Sequence, residues 1–155
     1  MTAAVDKLPP DVIELLDAPV LAHMSTSSPE GHPQASLVWF ERVGSELVLF
    51  IEQDSLKARY LSHNPHSVLV VVDPERELAA GVPPYVRLSG TVRLTDPEPG
   101  IEDRLARRYG SPTGYVFPRK PILNAHLTVE RVSGIGPYPG GECGGWVPPD
   151  RPAST

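Results

Sequence analysis

The residues best suited to chemistry lie in one stretch where a predicted strand gives way to a helix. Ser55 and Lys57 follow the apolar run 49–51 and open a helical pattern over 56–61, which Asn64-Pro65 ends. A helix N-terminus presents unpaired backbone N–H groups and partial positive charge, and a hydroxyl and an ammonium add donors for an anion. The stretch therefore predicts a phosphate-binding site. A capped surface helix with solvated basic side chains would show the same pattern.

Other familiar kinds of site find less support. No Gly-x-Ser-x-Gly nucleophile pattern occurs, and prolines follow Gly134-x-Gly136 where a dinucleotide-binding loop requires a helix. An Asn-Pro pair separates His63 from His66, and no third ligand type lies nearby, so we predict no metal site. Cys143 stands among tail glycines, where we expect no reactive role. The catalytic residues stay unassigned.

The composition excludes several classes of protein. The 155 residues carry 14 Lys+Arg against 19 Asp+Glu, a net charge of −5, which counts against nucleic-acid binding. A hydrophobic share of 40% with 21% charged residues is enough to close a core, and the length fits one domain of ordinary size. No apolar run approaches the roughly 20 residues of a membrane span. With no signal-like N-terminus and a single cysteine, we expect a cytoplasmic protein with no membrane partner.

Periodicity and turn residues predict the elements that must position the candidate site. We expect helices over 11–17, 56–61 and 101–109, and six strands over 19–26, 33–42, 46–51, 67–72, 85–94 and 126–132. Mostly antiparallel connections between short strands indicate a small closed β-barrel. The run 67–72 is apolar enough to be covered on both faces, and Gly90 is expected to mark a bulge or a close approach.

The C-terminal end has a different composition. From Gly134 onward, 22 residues hold six Gly and five Pro, and such a segment has no core of its own. We therefore divide the chain into a barrel domain, residues 1–135, and a tail, residues 136–155. Tyr138 and Trp146 would cover a substrate pocket, attach the tail to the barrel or be disordered.

Several motifs, in this order, resemble the pyridoxamine-phosphate-oxidase-like split-barrel superfamily. They are Pro33 to Phe40 (PQASLVWF), Leu49-Phe50-Ile51, Ser55-x-Lys57-x-x-x-Leu61 with Asn64-Pro65, Ser67 to Val70, Val86 to Val92 and Val129 to Gly134. The resemblance covers roughly residues 11 to 134. Within the superfamily the chain is most similar to the flavin/deazaflavin oxidoreductases of group B, which commonly use the deazaflavin coenzyme F420.

This resemblance implies a fold and a set of site residues. The fold would be mainly β with short α-helices, a six-stranded antiparallel split β-barrel of the FMN-binding type. The protein would form a homodimer with two cofactor sites between its subunits. One strand would lie along the cofactor ring, and the strand-to-helix junction would surround the ribityl-phosphate arm. The cofactor-binding residues so implied are Gln34, Ser36, Leu37, Val38, Trp39, Ile51, Glu52, Ser55, Leu56, Lys57 and Tyr60.

The resemblance also implies an activity. The chain would be an F420-dependent oxidoreductase that transfers a hydride between the deazaflavin and an unsaturated organic small molecule, with Tyr60, Tyr138 or water as proton source. One alternative is an FMN-binding oxidase of the pyridoxamine-phosphate-oxidase type, because many group-B relatives have Arg at the position of Ser55, and serine there matches the FMN oxidases and a subset of group B. Another is a carrier of flavin or deazaflavin without turnover.

Acidic and basic residues surround the candidate phosphate site and affect how well it could bind an anion. Glu52 and Asp54 place acid near the expected phosphate, and they would repel it unless they point away or meet Arg59. Further arginines at 87, 93, 104, 107 and 108 could add positive charge, but we expect them to form solvated faces of a strand and a helix.

Overall fold

The computed structural model describes residues 7–78 and 81–138. Within these ranges the helices are α1 (Pro10–Asp17), α2 (Leu56–His63) and α3 (Ile101–Arg108). The strands are β1 (Ala22–Ser27), β2 (Pro33–Val38), β3 (Glu41–Val43), β4 (Glu46–Glu52), β5 (His66–Val72), β6 (Tyr85–Thr95) and β7 (Ile122–Ile135). None of the helices in the described ranges has the length and apolar character needed to span a membrane.

The strands form one antiparallel sheet in the order β2-β1-β5-β6-β7-β4-β3. This arrangement confirms the predicted mainly β, antiparallel split-barrel fold. The two edge strands, β2 and β3, follow each other in the chain and are linked through residues 39–40, with no ladder between them. One long edge of β2 therefore carries no strand partner in the described chain.

The sheet has seven strands where six were predicted, because the run 33–42 divides into β2 and β3. Helix α3 and the residue after it cause the break. The Phe40 N–H donates to the Tyr109 hydroxyl at 3.2 Å, and the Phe40 carbonyl accepts from Arg108 Nε at 2.9 Å. The indole of Trp39 stacks on the Tyr109 ring at 5.4 Å. The backbone at 39–40 thus bonds to side chains from a distant helix and leaves the ladder.

Two apolar clusters hold the elements together. The larger fills the barrel with inward side chains such as Met24, Leu49 and Leu127, and α1 closes it with Val12 and Leu16. The smaller joins α3 to the outer face of β4 through Val48, Ile101 and Leu105, with Trp39 and Phe50 packed against it. Helix α3 is therefore fixed beside the strand that leads into α2.

Strand β5 is not equally buried on both faces, although its apolar sequence predicted that it would be. Ser67, Leu69 and Val71 are buried, whereas Val68 and Val70 on the other face are only half-buried. The alternation places one face of β5 against the barrel core and leaves the other partly exposed.

Gly90 marks both a bulge and a close approach, as predicted. The pairing of β6 with β7 shifts register between Ser89 and Gly90. A Cβ at Gly90 would collide with the Thr128 carbonyl oxygen, so no larger residue fits without moving the ladder.

Arg104 and Arg108 of α3 are bound to other groups and do not form the solvated face that we expected, whereas Arg107 is exposed as expected. Arg104 pairs with Glu41 and Glu98. The Arg108 guanidinium donates to the carbonyl oxygens of Leu16, Asp17 and Ala18 at 2.8–3.1 Å, as well as to that of Phe40. Arg108 therefore satisfies the free carbonyl groups at the C-terminus of α1, which has no basic residue in its own last turn.

The beginning of the predicted tail packs on the barrel. Tyr138 is 4% exposed, belongs to the main core cluster and donates a hydrogen bond from its hydroxyl to Asp73 Oδ2 at 2.8 Å. Of the three expectations for this residue, attachment to the barrel is the one observed. Cys143 and Trp146 lie outside the described residues, and the boundary at 135 stays a prediction.

Candidate functional site

The N-terminus of α2 is built by local sequence signals. Ser55 is the N-cap, and its hydroxyl oxygen accepts from the Ala58 N–H at 3.2 Å. This bond uses the oxygen as acceptor and leaves the hydroxyl proton for a ligand. The Asn64 N–H bonds to the Tyr60 carbonyl and ends the helix before Pro65. The predicted helix start and end are therefore correct.

Lys57 points from α2 toward β2. Its Nζ donates to Ser36 Oγ at 3.0 Å. The side chain is half-buried, and this burial lowers the pKa of Lys57, while the negative charge of Glu52 opposes the shift. A partly desolvated ammonium held beside two hydroxyl groups is a good donor set for an oxyanion.

Glu52, the carboxylate near the Lys57 ammonium, pairs with a lysine that the sequence analysis did not identify. Glu52 Oε2 lies 3.2 Å from Lys120 Nζ, in the segment that leads into β7. Arg59 and Asp54 are exposed on α2 and the turn before it. Glu52 is thus paired with, and partly neutralised by, Lys120 and not Arg59, which reduces its repulsion of an anion at Lys57.

These groups open into a cavity of about 440 Å³, here called the main cavity. That volume is in the range of small-molecule sites. Seven of the eleven predicted site residues line it, namely Leu37, Val38, Trp39, Ile51, Glu52, Ser55 and Lys57. Ser36 adjoins it through its bond with Lys57.

Three predicted site residues do not line the main cavity. Gln34 accepts a hydrogen bond from the Thr26 hydroxyl at 3.1 Å, farther along β2. Leu56 is 40% exposed at the first position of α2, and Tyr60 is half-exposed one turn later. Contact of any of the eleven residues with a cofactor stays a prediction.

Four aromatic side chains form one wall of the main cavity, here called the aromatic wall: Trp39, Phe50, Tyr115 and Phe117. Tyr115 is at its centre, with ring centroids 6.4 Å from Trp39 and 5.6 Å from both Phe50 and Phe117. The contacts with Trp39 and Phe50 are edge-to-face, a favourable arrangement for aromatic pairs.

The phenol of Tyr115 stays protonated at neutral pH. Burial raises its pKa first, and the nearby charges of Glu102 and Glu52 raise it further, against smaller opposing effects of Arg119 and Lys120. Tyr115 therefore brings a hydroxyl donor to the main cavity. Tyr60 and Tyr138, the expected proton sources, do not line it, since Tyr138 faces a separate cavity of about 310 Å³ beside Asp73.

Sequence reasoning missed Leu21, Phe50, Tyr115 and Phe117 as lining residues. Phe50 stood within a quoted motif but was not selected. The only local signal for the other two aromatic residues was the spacing Tyr-x-Phe in a connection rich in Gly and Pro, residues 110–121.

The main cavity is polar at one end and aromatic at the other. The polar end has Lys57, Ser55 and the N-terminus of α2, and the other end has the aromatic wall. This combination suits a flat ring that carries an anionic arm. The lining residues include no imidazole, thiol or thioether, and no group of three or more His, Cys, Asp or Glu within the described ranges is placed to hold a metal ion.

Comparison with known proteins agrees with this architecture. Residues 8–133 match the family profile described as pyridoxamine 5'-phosphate oxidase. Among solved structures, an F420 reductase has 24% identity and a TM-score of 0.64 over 77% of this chain and 93% of that chain. A conserved hypothetical protein from Mycobacterium tuberculosis has 15% identity and a TM-score of 0.65, over 86% and 89% of the two chains.

A third solved structure belongs to a heme storage protein. HutZ, the heme storage protein from Vibrio cholerae, has 14% identity and a TM-score of 0.63 over 81% of this chain and 93% of that chain. No curated protein sequence matches. At these identities the structural likeness establishes the fold, and the choice of ligand must come from the residues of the main cavity.

Proposed function

Because this chain belongs to the pyridoxamine 5'-phosphate oxidase family, we propose that it is an F420-dependent oxidoreductase acting on an unsaturated organic small molecule. The hydride would pass between the deazaflavin and that substrate. One observation carries the proposal: a single cavity joins the half-buried Lys57 ammonium to the aromatic wall. The F420 reductase among the structural neighbours supports the choice of deazaflavin.

In this proposal the polar end holds the phosphate of the ribityl arm. Lys57 supplies a full charge, Ser55 supplies a hydroxyl proton, and α2 supplies free backbone N–H groups. Lys120 supports the site indirectly, because it pairs with Glu52 and partly offsets its negative charge.

The ring would lie along β2. Within the part of the chain that the structure describes, this strand pairs with β1 on one side and has no strand partner on the other, so some of its backbone N–H and C=O groups stay available to a ligand. Leu37, Val38 and Trp39 at its end line the main cavity. The main chain of β2 can therefore bond to the polar edge of a flat ring.

When bound, a deazaflavin or flavin supplies the hydride chemistry itself. The residues of this chain bind the arm, orient the ring and exclude water from the aromatic end. Tyr115 holds its proton at the hydroxyl and presents it to the main cavity, where the reduced product needs a proton.

The lining residues favour a flavin-type cofactor over heme. A heme iron takes axial ligands such as imidazole, thiolate, thioether or phenolate. The first three are absent from the lining residues of the described chain, and the raised pKa of Tyr115 disfavours its phenolate.

FMN is the second candidate for the cofactor, and one observation favours it. Lys57 is the single cation among the lining residues of the described part of the chain. A compact phosphate needs less positive charge than the multiply anionic tail of F420. Ser55 at the helix start also matches the FMN oxidases, as noted above.

Parallel equilibrium titrations with F420 and FMN test the proposal. Bound flavin absorbs near 450 nm and the deazaflavin near 420 nm, as approximate properties of the two chromophores. We expect tighter binding of F420, followed by oxidation of its reduced form by enones or quinones. Tighter binding of FMN would move the assignment to the FMN oxidase. Tight binding without turnover across the panel would favour a carrier, and binding of neither would refute the proposal.

A second copy of the chain would complete the site. Leu21, Leu37 and Phe117 line the main cavity and are between 44% and 57% exposed, and Val116, next to Phe117 in the chain, is 69% exposed. An apolar rim of this kind is typical of an interface, and the sequence resemblance implies a homodimer with its sites between subunits. We expect light scattering to give twice the chain mass of 16.8 kDa, and a monomer at micromolar concentration would contradict this.

A further inference from the structure

The loop that carries half of the aromatic wall has exposed apolar side chains that hold it only weakly. Residues 110–121 connect α3 to β7 without a regular element. Val116 is 69% exposed and Phe117 is 57% exposed. Within one chain, burial of these two residues therefore contributes little to fixing the loop, and the ring contacts of Tyr115 together with the bonds of the loop backbone must determine where Tyr115 and Phe117 lie.

One carboxylate in the first turn of α3 makes several of those contacts. Asp103 Oδ1 accepts from the Tyr115 backbone N–H at 2.9 Å and from Arg119 Nη2 at 2.9 Å. The Tyr115 N–H is the largest cause, and Arg119 the next, of a pKa for Asp103 below its usual value. The acceptor is therefore a carboxylate at neutral pH and binds both ends of the loop segment 115–119.

The loop is shaped to admit this carboxylate. Gly114 has φ +91°, and a Cβ there would lie 2.6 Å from Asp103 Oδ1. The Ser111 hydroxyl donates to the Gly114 carbonyl at 2.5 Å and tightens the same turn. A residue with a side chain at position 114 would both strain the backbone and collide with the anchoring oxygen.

Arg119 links the anchor to the aromatic wall. Its guanidinium also pairs with Glu102 Oε1 at 3.2 Å and lies 5.8 Å from the centroid of the Tyr115 ring. Glu102 therefore holds Arg119 but accepts no hydrogen bond from the Tyr115 backbone. Mutation can distinguish the roles of Glu102 and Asp103, since only Asp103 binds the backbone of Tyr115.

We propose that Asp103 is a positioning residue that fixes Tyr115 and Phe117 and thereby sets which acceptors fit the aromatic end of the main cavity. Asp103 does not line the cavity, so it acts through the loop. The acceptor class that this wall suits is a flat unsaturated carbonyl compound, packed between the cofactor ring and the edges of the aromatic side chains. This inference rests on the proposed function and specifies its acceptor site.

A fluorescence experiment tests the anchor without any need for activity. In a Trp146→Phe background, Trp39 is the remaining tryptophan, and its indole contacts Tyr115. We expect Asp103→Ala and Gly114→Ala to raise the acrylamide quenching constant of Trp39 about twofold, because a released loop exposes it. Asp103→Asn keeps an oxygen for the Tyr115 N–H and should cause a smaller rise. Glu102→Gln is the matched control and should change little.

Steady-state kinetics then test the acceptor site. Loss of a hydrogen bond to a charged group should raise KM for a quinone about tenfold in Asp103→Ala, with cofactor affinity unchanged. We expect kcat to fall as well, because the released loop displaces Tyr115, the proposed proton source. Unchanged quenching and KM in folded Asp103→Ala and Asp103→Asn would overturn the proposal, as would an equal effect of Glu102→Gln. Equal losses in cofactor affinity and acceptor KM would also overturn it.

The proposed cofactor-dependent function and the role of Asp103 can each fail independently of the other. If the wild-type protein binds neither F420 nor FMN, the proposed function fails, while the quenching series still decides whether Asp103 fixes the loop. If Asp103→Ala does not fold, Asp103→Asn and Gly114→Ala give the same comparison with Glu102→Gln.

Discussion

Replacing Lys57 with alanine separates binding of the phosphate from binding of the ring. The ammonium is half-buried, donates to Ser36 Oγ and lies beside the N-terminus of α2. Alanine removes the charge and the donor, and Ser55 keeps its cap on Ala58. We therefore expect the variant to fold normally and to bind a phosphate-bearing cofactor more weakly.

The size of the effect follows from the environment of Lys57. A hydrogen bond to a charged group contributes about 1.5–3 kcal/mol, which corresponds to about 10- to 150-fold in Kd. Solvent still reaches part of the side chain and screens its charge, so we expect the lower half of that range. The expected increase in Kd for FMN or F420 is about 10- to 40-fold.

Riboflavin provides the matched ligand, because it has the ring and ribityl chain of FMN without the phosphate. Titration of wild type and Lys57→Ala with both flavins should show the loss for FMN and little change for riboflavin. Arg59→Ala is the matched protein control, since Arg59 is an exposed cation on the same helix outside the main cavity.

Two outcomes would refute this reasoning. Equal affinity of wild type and Lys57→Ala for FMN would mean that the ammonium does not touch the phosphate. Equal losses for riboflavin and FMN would mean that alanine disturbs the ring site, and the polar end would then have no defined ligand.

Three further predictions concern pH and stability. Cofactor affinity should fall as pH rises through the lowered pKa of Lys57, which deprotonates there, and Lys57→Arg should keep affinity to higher pH; a flat Kd profile would contradict this. Tyr138→Phe should destabilise the fold by about 1–3 kcal/mol in urea, because buried Asp73 loses a donor. Burial raises the pKa of Tyr138, so its hydrogen bond contributes fully to the free energy of unfolding below pH 10 and is lost at higher pH, when the hydroxyl deprotonates. Tyr138→Phe should not show this loss of stability at high pH. Gly90→Ala should cost more than about 3 kcal/mol by the same assay, and Ser89→Ala little.

Features that depend on neighbouring residues could be predicted from the sequence. The start of α2 at Ser55 and its end before Asn64-Pro65 follow from capping and from the backbone limits of proline. Gly90 could be recognised because an isolated glycine in a strand usually has a steric reason. Seven of the eleven predicted site residues share one cavity because the end of β2 and the junction of β4 with α2 are each continuous in sequence.

Features that depend on distant residues could not be predicted in this way. Tyr109 interrupts the strand at Phe40 from 69 positions away, and Lys120 neutralises Glu52 from 68 positions away. The exposed position of Phe117 gave no core periodicity to follow. In each case the deciding contact is set by the packing of α3 and the loop after it, which local patterns do not specify.

The contacts of Arg108 have a consequence for experiments that shorten the chain. One guanidinium binds the last carbonyl groups of the first helix and the backbone beside Trp39. Trimming the first 20 residues would leave most of its donors without acceptors next to an indole that lines the main cavity. Ligand binding should then weaken although every cavity-lining residue is still present, so the amino-terminal helix belongs to the functional unit.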